Sequence, residues 1–504
     1  MAPEVSHSIV AFFLLKINKN TPLALTERAG SYYNNFDMKF LTAKKGMDMT
    51  TGKLFPKLLA FALPLALSGI LQLLFNAIDL IVIGNFSETK VVSLAAVSSN
   101  NSLINLFVNV AIGISLGVNV VMAQAIGEGN RDKAERVVHT SMLLSLVIGV
   151  VIMAIGTIGA RQFLEWMQAN PEVIDKAYTY LFIYFFGAPA NIVYNFGAAL
   201  LRAKGDTRRP LVYLTIAGVA NVGLNVFLVT VAKMDVAGVA VATVVSQYLS
   251  AILVVIALIR EKGELRLILK KLRFHSEELR HILRVGLPSG ILSSFFSVAN
   301  IIIQSAINTF PAAVIAGNAT GISIEAFIYT SMNAVAGTAS TFSGQNYGAG
   351  KYKRIRRIML DCCLIEGIVG ILLGALFLWL RHRLAAIYTS DEEVIRVVGD
   401  RMTVILPFYF VCGMVEVLVG CMRGMNYTVL PTCASFLSVC VYRIVWVFTL
   451  FRTHRTTYAL WMSYPISWII NFAIDLVMIL ILFRRVARLR ESVGESGESL
   501  IIEE

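Results

Sequence analysis

Gln124-Ala-Ile-Gly-Glu-Gly129 returns about 221 residues later as Gln345-Asn-Tyr-Gly-Ala-Gly350, and a recurrence on that scale divides the chain into two copies of one unit. Working outward, the correspondence continues. Pro64 and Phe86 frame one apolar stretch, and Pro288 and Phe310 frame another with the same internal spacing, so that Asn76 falls on Asn300. Downstream, Arg202, Thr207 and Pro210 return as Arg423, Thr428 and Pro431. Duplication inside hydrophobic segments is how many secondary transporters are built, with substrate and ion sites near the repeat interface.

Composition selects the solvent. The 504 residues are 57% hydrophobic and 15% charged, with a mean hydropathy of +0.70. A water-soluble domain needs more charge than that to cover its surface, so lipid must surround most of this chain. Stretches long enough to cross a bilayer, about 20 residues each, fall near 55–84, 91–127, 134–160, 173–203, 207–232 and 236–259. A second set falls near 279–308, 312–347, 355–380, 394–423, 428–451 and 457–483. The expected fold is an all-α polytopic membrane protein with 12 transmembrane helices in two pseudo-symmetric six-helix lobes, residues 51–260 and 279–486. An even number of spans per repeat relates the lobes by an axis along the membrane normal.

The formal charge of +12 is spread in short clusters between apolar spans, such as Arg131, Lys133 and Arg136 or Lys351, Lys353, Arg354, Arg356 and Arg357. That distribution reads as topogenic charge and contact with anionic lipid, not as a nucleic-acid surface. The short loops on the opposite side, 85–90, 233–235 and 309–311, are poorer in Lys and Arg, so both termini are expected in the cytoplasm. Arg381, Arg383, Arg452 and Arg455 dilute this contrast without reversing it. Residues 261–278 are expected to be a cytoplasmic interfacial linker: across Glu264 to Arg284, Leu265, Ile268, Leu269, Leu272, Leu279 and Ile282 recur at roughly helical spacing among basic residues, which suggests an interfacial helix on the cytoplasmic leaflet joining the lobes. A solvated linker is the alternative there. Residues 1–50 read as an extension of different character, with Met47 and Met49 as candidate starts and the first 46 or so residues dispensable. The Ser- and Glu-rich tail, 487–504, is expected to be disordered.

Six cysteines, all between Cys362 and Cys440, show no ligand spacing, and the six histidines are scattered. The sequence therefore supports no metal centre, catalytic triad or other enzyme site. The Gln-x-x-Gly-x-Gly signals follow no strand and precede no Walker lysine, so ATP is not implied. They read as tight helix ends where glycine allows the turn.

An ionisable side chain inside a span costs roughly 2.5–3.5 kcal/mol on insertion scales and so needs a reason. Asp79 is the sharpest case, about four turns past Pro64 on the first span, a depth that belongs to the outer half of the membrane. Pro64 removes a backbone hydrogen bond and makes a natural hinge. A carboxylate in that setting can bind a proton or, with oxygen partners, Na⁺. Asn221 and Asn225, spaced i, i+4, and Thr243 at matching depth supply neutral oxygens. Ordinary interhelical hydrogen bonding would also account for these three. In the second half, Glu325 and Glu416 are candidates for a cationic substrate or a second ion, with Asn76 and Asn300 as further cavity candidates. Arg443 and Asp475 are expected to pair with these carboxylates or with each other. By the repeat Asn225 falls on Trp446, so the first-half cluster is not duplicated.

The motifs Phe61-Ala-Leu-Pro64, Ile78-Asp79-Leu-Ile-Val-Ile-Gly84, Gln124 to Gly129, Leu201-Arg-Ala-Lys-Gly-Asp-Thr207, Gly238-Val-Ala-Val-Ala-Thr243 and Gly344 to Gly350 together resemble the multidrug and toxic compound extrusion family. Within it they resemble the bacterial branch that includes DinF-like and MepA-like proteins. The resemblance covers roughly residues 51–486. It implies two six-helix lobes around a central cavity, in a monomeric multi-pass protein of the bacterial plasma membrane. It also implies export of amphipathic, often cationic, compounds in exchange for H⁺ or Na⁺, with no cofactor. The family's first-span acidic residue corresponds to Asp79 and its kink proline to Pro64, and Asn221, Asn225 and Thr243 match polar cation-site positions. Some proton-driven members carry a second carboxylate where this chain has Asn225, which leaves the ion open. Two other readings stand beside this one: a flippase for lipid-linked saccharides, and a non-transporting membrane receptor or scaffold.

Overall fold

The computed structural model describes residues 46–87, 89–167 and 170–493. Expectations about residues 1–45 and about the tail from 494 lie outside them. The described residues are mostly helical, with no strand among them. Helix is the one open-chain conformation that satisfies its own backbone in hydrocarbon. Among the described residues eleven helical segments are long and apolar enough to cross a bilayer alone, and Pro171–Phe185 with Ala188–Ala203, bent by 46°, makes a twelfth span.

The first lobe comprises α1 (Leu54–Phe86), α2 (Lys90–Glu128), α3 (Arg131–Trp166), the bent α4 (Pro171–Phe185 and Ala188–Ala203), α5 (Arg208–Val231) and α6 (Asp235–Arg260). The second comprises α7 (Ser276–Ile307), α8 (Ala312–Gly348), α9 (Tyr352–Tyr388), α10 (Glu392–Gly424), α11 (Val429–Thr453) and α12, whose main segment is Ser463–Val493. The bend in α4 falls at Gly187-Ala188-Pro189, and α10 breaks at the equivalent place, in a 3-10 turn over Leu406–Phe408 that holds Pro407. Proline cannot donate the helical hydrogen bond at either break. Side-chain caps start several spans: Asn130 accepts from Lys133 N at 3.0 Å, Asn170 from Glu172 N at 3.0 Å and Asp391 from Glu393 N at 2.9 Å. Each satisfies an amide that the helix itself leaves unpaired.

Two segments differ from the sequence expectation. The linker after Arg260 is not a helix; it has one 3-10 turn at Leu269–Lys271, and α7 begins at Ser276. Leu265 and Leu267 are buried against the first lobe, so the apolar residues serve docking of an irregular chain and do not form one face of a helix. At the other end, α12 continues as helix to Val493, because Arg, Leu and Ala after Phe483 are strong helix formers.

The lobes pack through α2 against α7 and α8 and through α1 against α8, with contacts reaching as far as Val110 on Gly290 and Gly69 on Thr330. Val118 to Ala125 of α2 and Thr338 to Asn346 of α8 are buried without interruption, while Leu106 of α2 and Ile322 and Tyr329 of α8 are exposed. The repeated motif lies in this closed seam. Gln124 Nε2 donates to Gly424 O at 2.8 Å and to Asn426 Oδ1 at 2.9 Å; Gln345 Nε2 donates to Ala203 O at 2.6 Å. Each glutamine thus caps the broken span of the other lobe. Gly127 and Gly348 face them reciprocally: a Cβ on Gly127 would strike Gln345 O, and one on Gly348 would strike Gln124 O. Gly129 and Gly350 take left-handed conformations, φ 69° and 67°, which ends each helix as the sequence suggested. Residues 46–53 reinforce the seam. Asn346 Nδ2 donates to Met49 O at 3.1 Å, Arg354 Nη2 donates to Thr51 O and Gly52 O at 2.7 and 2.9 Å, and the Met49 side chain is fully buried beside Phe61 and Phe342.

Replacing both glutamines, Gln124→Ala with Gln345→Ala, is expected to loosen the closed end. The two side chains make three hydrogen bonds across the seam, each contributing about 0.5–1.5 kcal/mol, so the double variant should shift the ratio of closed to open seam by roughly 10- to 2,000-fold. Distances between spin labels placed across the seam in nanodisc-embedded protein would read this directly. An unchanged distance distribution would show that apolar packing alone holds the seam.

Candidate functional site

Asp79 lies on α1, nearly buried at 8% exposure, and three side chains from two other spans converge on it. Asn225 Nδ2 of α5 donates to Asp79 Oδ1 at 2.5 Å, and Thr243 Oγ1 of α6 donates to Asp79 Oδ2 at 3.4 Å. Asn225 Nδ2 also donates to Asn221 Oδ1 at 3.1 Å, and Asn221 Nδ2 reaches Thr243 Oγ1 at 3.5 Å. The i, i+4 spacing of the two asparagines does what a helix makes it do, placing both amides on one face. Just past Asn225 the α5 backbone widens into a π-helical segment, Phe227–Val231, the kind of local irregularity that often accompanies a functional side chain. Asn225 Oδ1 is buried and accepts no hydrogen bond. A carboxylate with neutral partners and a spare amide oxygen fits a proton on Asp79, and equally fits a small hard cation held by oxygens. Among the described residues no set of three His, Cys, Asp or Glu side chains could hold a metal ion.

Pro64 lies lower on the same helix. α1 remains continuous through it, although the proline leaves Ala60 O without its usual donor. Ser68 Oγ donates to Pro64 O at 2.8 Å. Tyr180 and Tyr184 of α4 lie within electrostatic reach of Asp79. Both were missed in the sequence, where a tyrosine in an aromatic-rich span carries no signal of its own.

The second lobe is arranged differently. Glu325 of α8 is not open to a substrate: Arg401 Nε and Nη2 clamp Oε1 and Oε2 at 2.9 and 2.8 Å, and Tyr409 OH donates to Oε2 at 3.2 Å. Arg401 Nη1 donates to Asn318 Oδ1 at 2.7 Å, which also accepts from Trp461 Nε1 at 3.2 Å. This buried network joins α8, α10 and the approach to α12. Arg401 lies inside the span expected near 394–423, but it was not singled out there, because Glu393, Arg396 and Asp400 surround it with other charges. Arg443 and Asp475, expected to form an ion pair with each other or with the glutamates, do not. Arg443 stacks over the Tyr464 ring at 4.1 Å and donates from Nε to Ser467 Oγ at 3.1 Å. It follows the π segment Phe436–Val441 of α11, whose wider turn breaks the 3.6-residue period on which sequence alignment of faces depends. Glu416 is half-buried on α10, with Arg423 of its own helix and Tyr329 of α8 beside it. Asn76 and Asn300 are exposed, and neither donates to or accepts from the Asp79 cluster in the contacts described.

On the linker side of the first lobe, Glu261 is 3% exposed. Burial alone would raise its carboxyl, but hydrogen bonds from Lys204 and Arg209 outweigh that and hold it below the ordinary glutamate range.

The MatE family model matches residues 64–227 and 288–449, one match in each lobe. The chain is 26% identical over 432 residues to "Probable multidrug resistance protein YoeA" of Bacillus subtilis, covering 83% of this chain and 91% of that protein. It is 25% identical over 401 residues to "Probable multidrug resistance protein NorM" of Thermotoga maritima, covering 79% and 85%. A solved structure described as the outward-facing conformation of a multidrug resistance MATE family transporter of the MOP superfamily superposes with a TM-score of 0.82 over 88% of this chain and 99% of that one, at 19% identity. Its likeness shows the fold. Two family matches that together span more than half of the sequence, set on twelve membrane spans in two lobes, place this chain in the MatE family of multidrug efflux transporters.

Proposed function

We propose that this chain is a cation-coupled antiporter of the bacterial plasma membrane, a monomer with both termini cytoplasmic, that exports amphipathic and often cationic drugs by alternating access. The observation that carries the proposal is the convergence of Asn225, Asn221 and Thr243 on Asp79 from α5 and α6. H⁺ or Na⁺ entering from outside binds there, moves α1 about Pro64 and favours release of drug from the open cleft. With the basic loops in the cytoplasm, the sealed seam at Gln124 and Gln345 is the inner gate and the cleft faces outward. Transport energy comes from the ion gradient, without ATP or a cofactor, and the partners are small amphipathic or cationic compounds and membrane lipids. The relatives' printed names, multidrug resistance proteins of two bacteria, support the drug class. A flippase for lipid-linked saccharides would need Arg443 and Arg202 to face the cavity, and Arg443 instead stacks on Tyr464. A receptor or scaffold role draws support from no feature of the Asp79 cluster.

The test is ethidium efflux from pump-deficient bacterial cells expressing the intact chain, repeated with and without Na⁺. Energy-dependent efflux is expected, and its dependence on Na⁺ or on the proton gradient alone identifies the ion. Absence of efflux from well-folded, membrane-inserted protein would overturn the multidrug reading.

A further inference from the structure

A cavity of about 360 Å³ opens among the spans of the second lobe, away from both the Asp79 cluster and the Glu325 network. Arg284 of α7 and Arg485 of α12 line it together with Tyr427, Val429 and Leu430, where α10 gives way to α11. No carboxylate lines it among the described residues. α11 packs against both α7 and α12, so two helices that each bring an arginine flank the start of a third. Tyr427 follows Asn426, whose Oδ1 accepts from Gln124 Nε2 at 2.9 Å and lies 3.0 Å from His281 Nε2, one turn before Arg284 on α7. The cavity therefore belongs to the end of the molecule where the seam is closed.

Its depth is that of lipid headgroups. The apolar span of α11 begins at Val429 and that of α12 ends at Val486, so Val429 and Arg485 mark the edge of the hydrocarbon on their helices. Past that edge the same helices turn aliphatic side chains outward. Leu430 and, two turns deeper, Leu437 on α11 are each more than half exposed, as is Ile481, one turn deeper than Arg485 on α12. Leu287, one turn past Arg284 on α7, is 40% exposed. Guanidinium forks match the oxygens of a phosphate in both geometry and charge. Exposed aliphatic side chains leading from them into hydrocarbon match an acyl chain, and basic pockets between membrane helices are a recurring form of anionic-lipid recognition. A soluble phosphate would meet the arginines alone.

We propose that this cavity is a binding site for one anionic phospholipid, its phosphate held between Arg284 and Arg485 and an acyl chain lying against Leu430. The site deepens the lipid contact proposed above, giving it a place and a chemical class, and rests on that reading. It stands apart from ion coupling: its test reads lipid binding and not transport, so its failure and the failure of the antiport reading are separate results.

The experiment is native mass spectrometry of the purified full chain in detergent, titrated with phosphatidylglycerol, with phosphatidylcholine of the same acyl chains, or with glycerol phosphate. One phosphatidylglycerol is expected to be retained in preference to phosphatidylcholine, with glycerol phosphate far weaker than either. Arg485→Gln should weaken phosphatidylglycerol binding about fivefold, and Arg284→Gln with Arg485→Gln about 30-fold, the usual worth of one and of two basic side chains at an anionic lipid. Leu430→Asn should weaken it several-fold while leaving the arginines in place. As a control, Lys353→Gln with Arg356→Gln removes the same charge from an exposed stretch of α9 and should leave binding unchanged. The comparison of headgroups uses the unsubstituted protein, so the test does not depend on any variant folding. Equal retention of the two lipids, or an equal loss in the α9 control, would overturn the proposal by showing only non-specific attraction. Glycerol phosphate bound as tightly as the lipid would overturn it in favour of a soluble phosphate.

Discussion

Asp79→Asn is expected to reduce drug efflux by roughly two orders of magnitude, the upper end of the usual range for coupling energies between sites, at unchanged membrane abundance. Asparagine matches aspartate in shape, and its carbonyl can still accept from Asn225 Nδ2, so packing of α1 against α5 should survive. What disappears is the one acidic group in the cluster, and with it the ability to gain and lose a positive charge. Ion binding and the tilt of α1 about Pro64 then no longer depend on each other. Initial rates in energised inverted vesicles, normalised to transporter content, would measure the loss. Asn221→Ala and Thr243→Ala each remove two neutral hydrogen bonds of the cluster, worth about 0.5–1.5 kcal/mol apiece, so they should raise the ion concentration needed for half-maximal transport about fivefold to 150-fold while leaving the maximal rate nearly intact. Full activity in Asp79→Asn would remove Asp79 from the mechanism.

The second large effect is on stability. Arg401→Met should destabilise the second lobe by about 3–5 kcal/mol, the usual cost of stranding one partner of a buried ion pair. The substitution leaves the Glu325 carboxylate with only Tyr409 OH and takes a donor from Asn318 Oδ1. Adding Glu325→Gln to Arg401→Met removes the stranded charge and should restore most of the loss, because much of the cost is an unpaired carboxylate and not a missing attraction. Thermal unfolding in detergent, followed through tryptophan fluorescence, is well placed to report this, since Trp461 bonds into the network and Trp468 packs on Tyr409. A single variant that melts with the unsubstituted protein would show that water or lipid repairs the site.

The Asp79 cluster was legible in the sequence because every clue to it is one-dimensional. A lone carboxylate in an apolar span is conspicuous wherever it lies, two asparagines four apart must share a helix face, and counting residues from a loop gives depth. The same counting failed in the second lobe. Arg401 lies inside the span expected near 394–423 with Arg396 and Asp400 close by, and nothing along the chain marks it as the charge that the fold turns to Glu325. Arg443 lies after a π segment that a strict helical period does not anticipate, and so it turned to Tyr464 and not to Asp475.

What the sequence by itself determined is the solvent, the twelve spans, the duplication and the first-lobe cluster, since each follows from hydropathy, period or spacing along one chain. The repeated glutamines could be seen but not understood. Their partners, Gly424 and Ala203, are backbone carbonyls in the other lobe, and a carbonyl has no side-chain identity for a sequence to show. Which carboxylates are clamped and which are left bare was likewise decided only by tertiary structure. Burial, donor geometry and helix rotation set the cost of a charge in lipid, and these arise only when one span is packed against another.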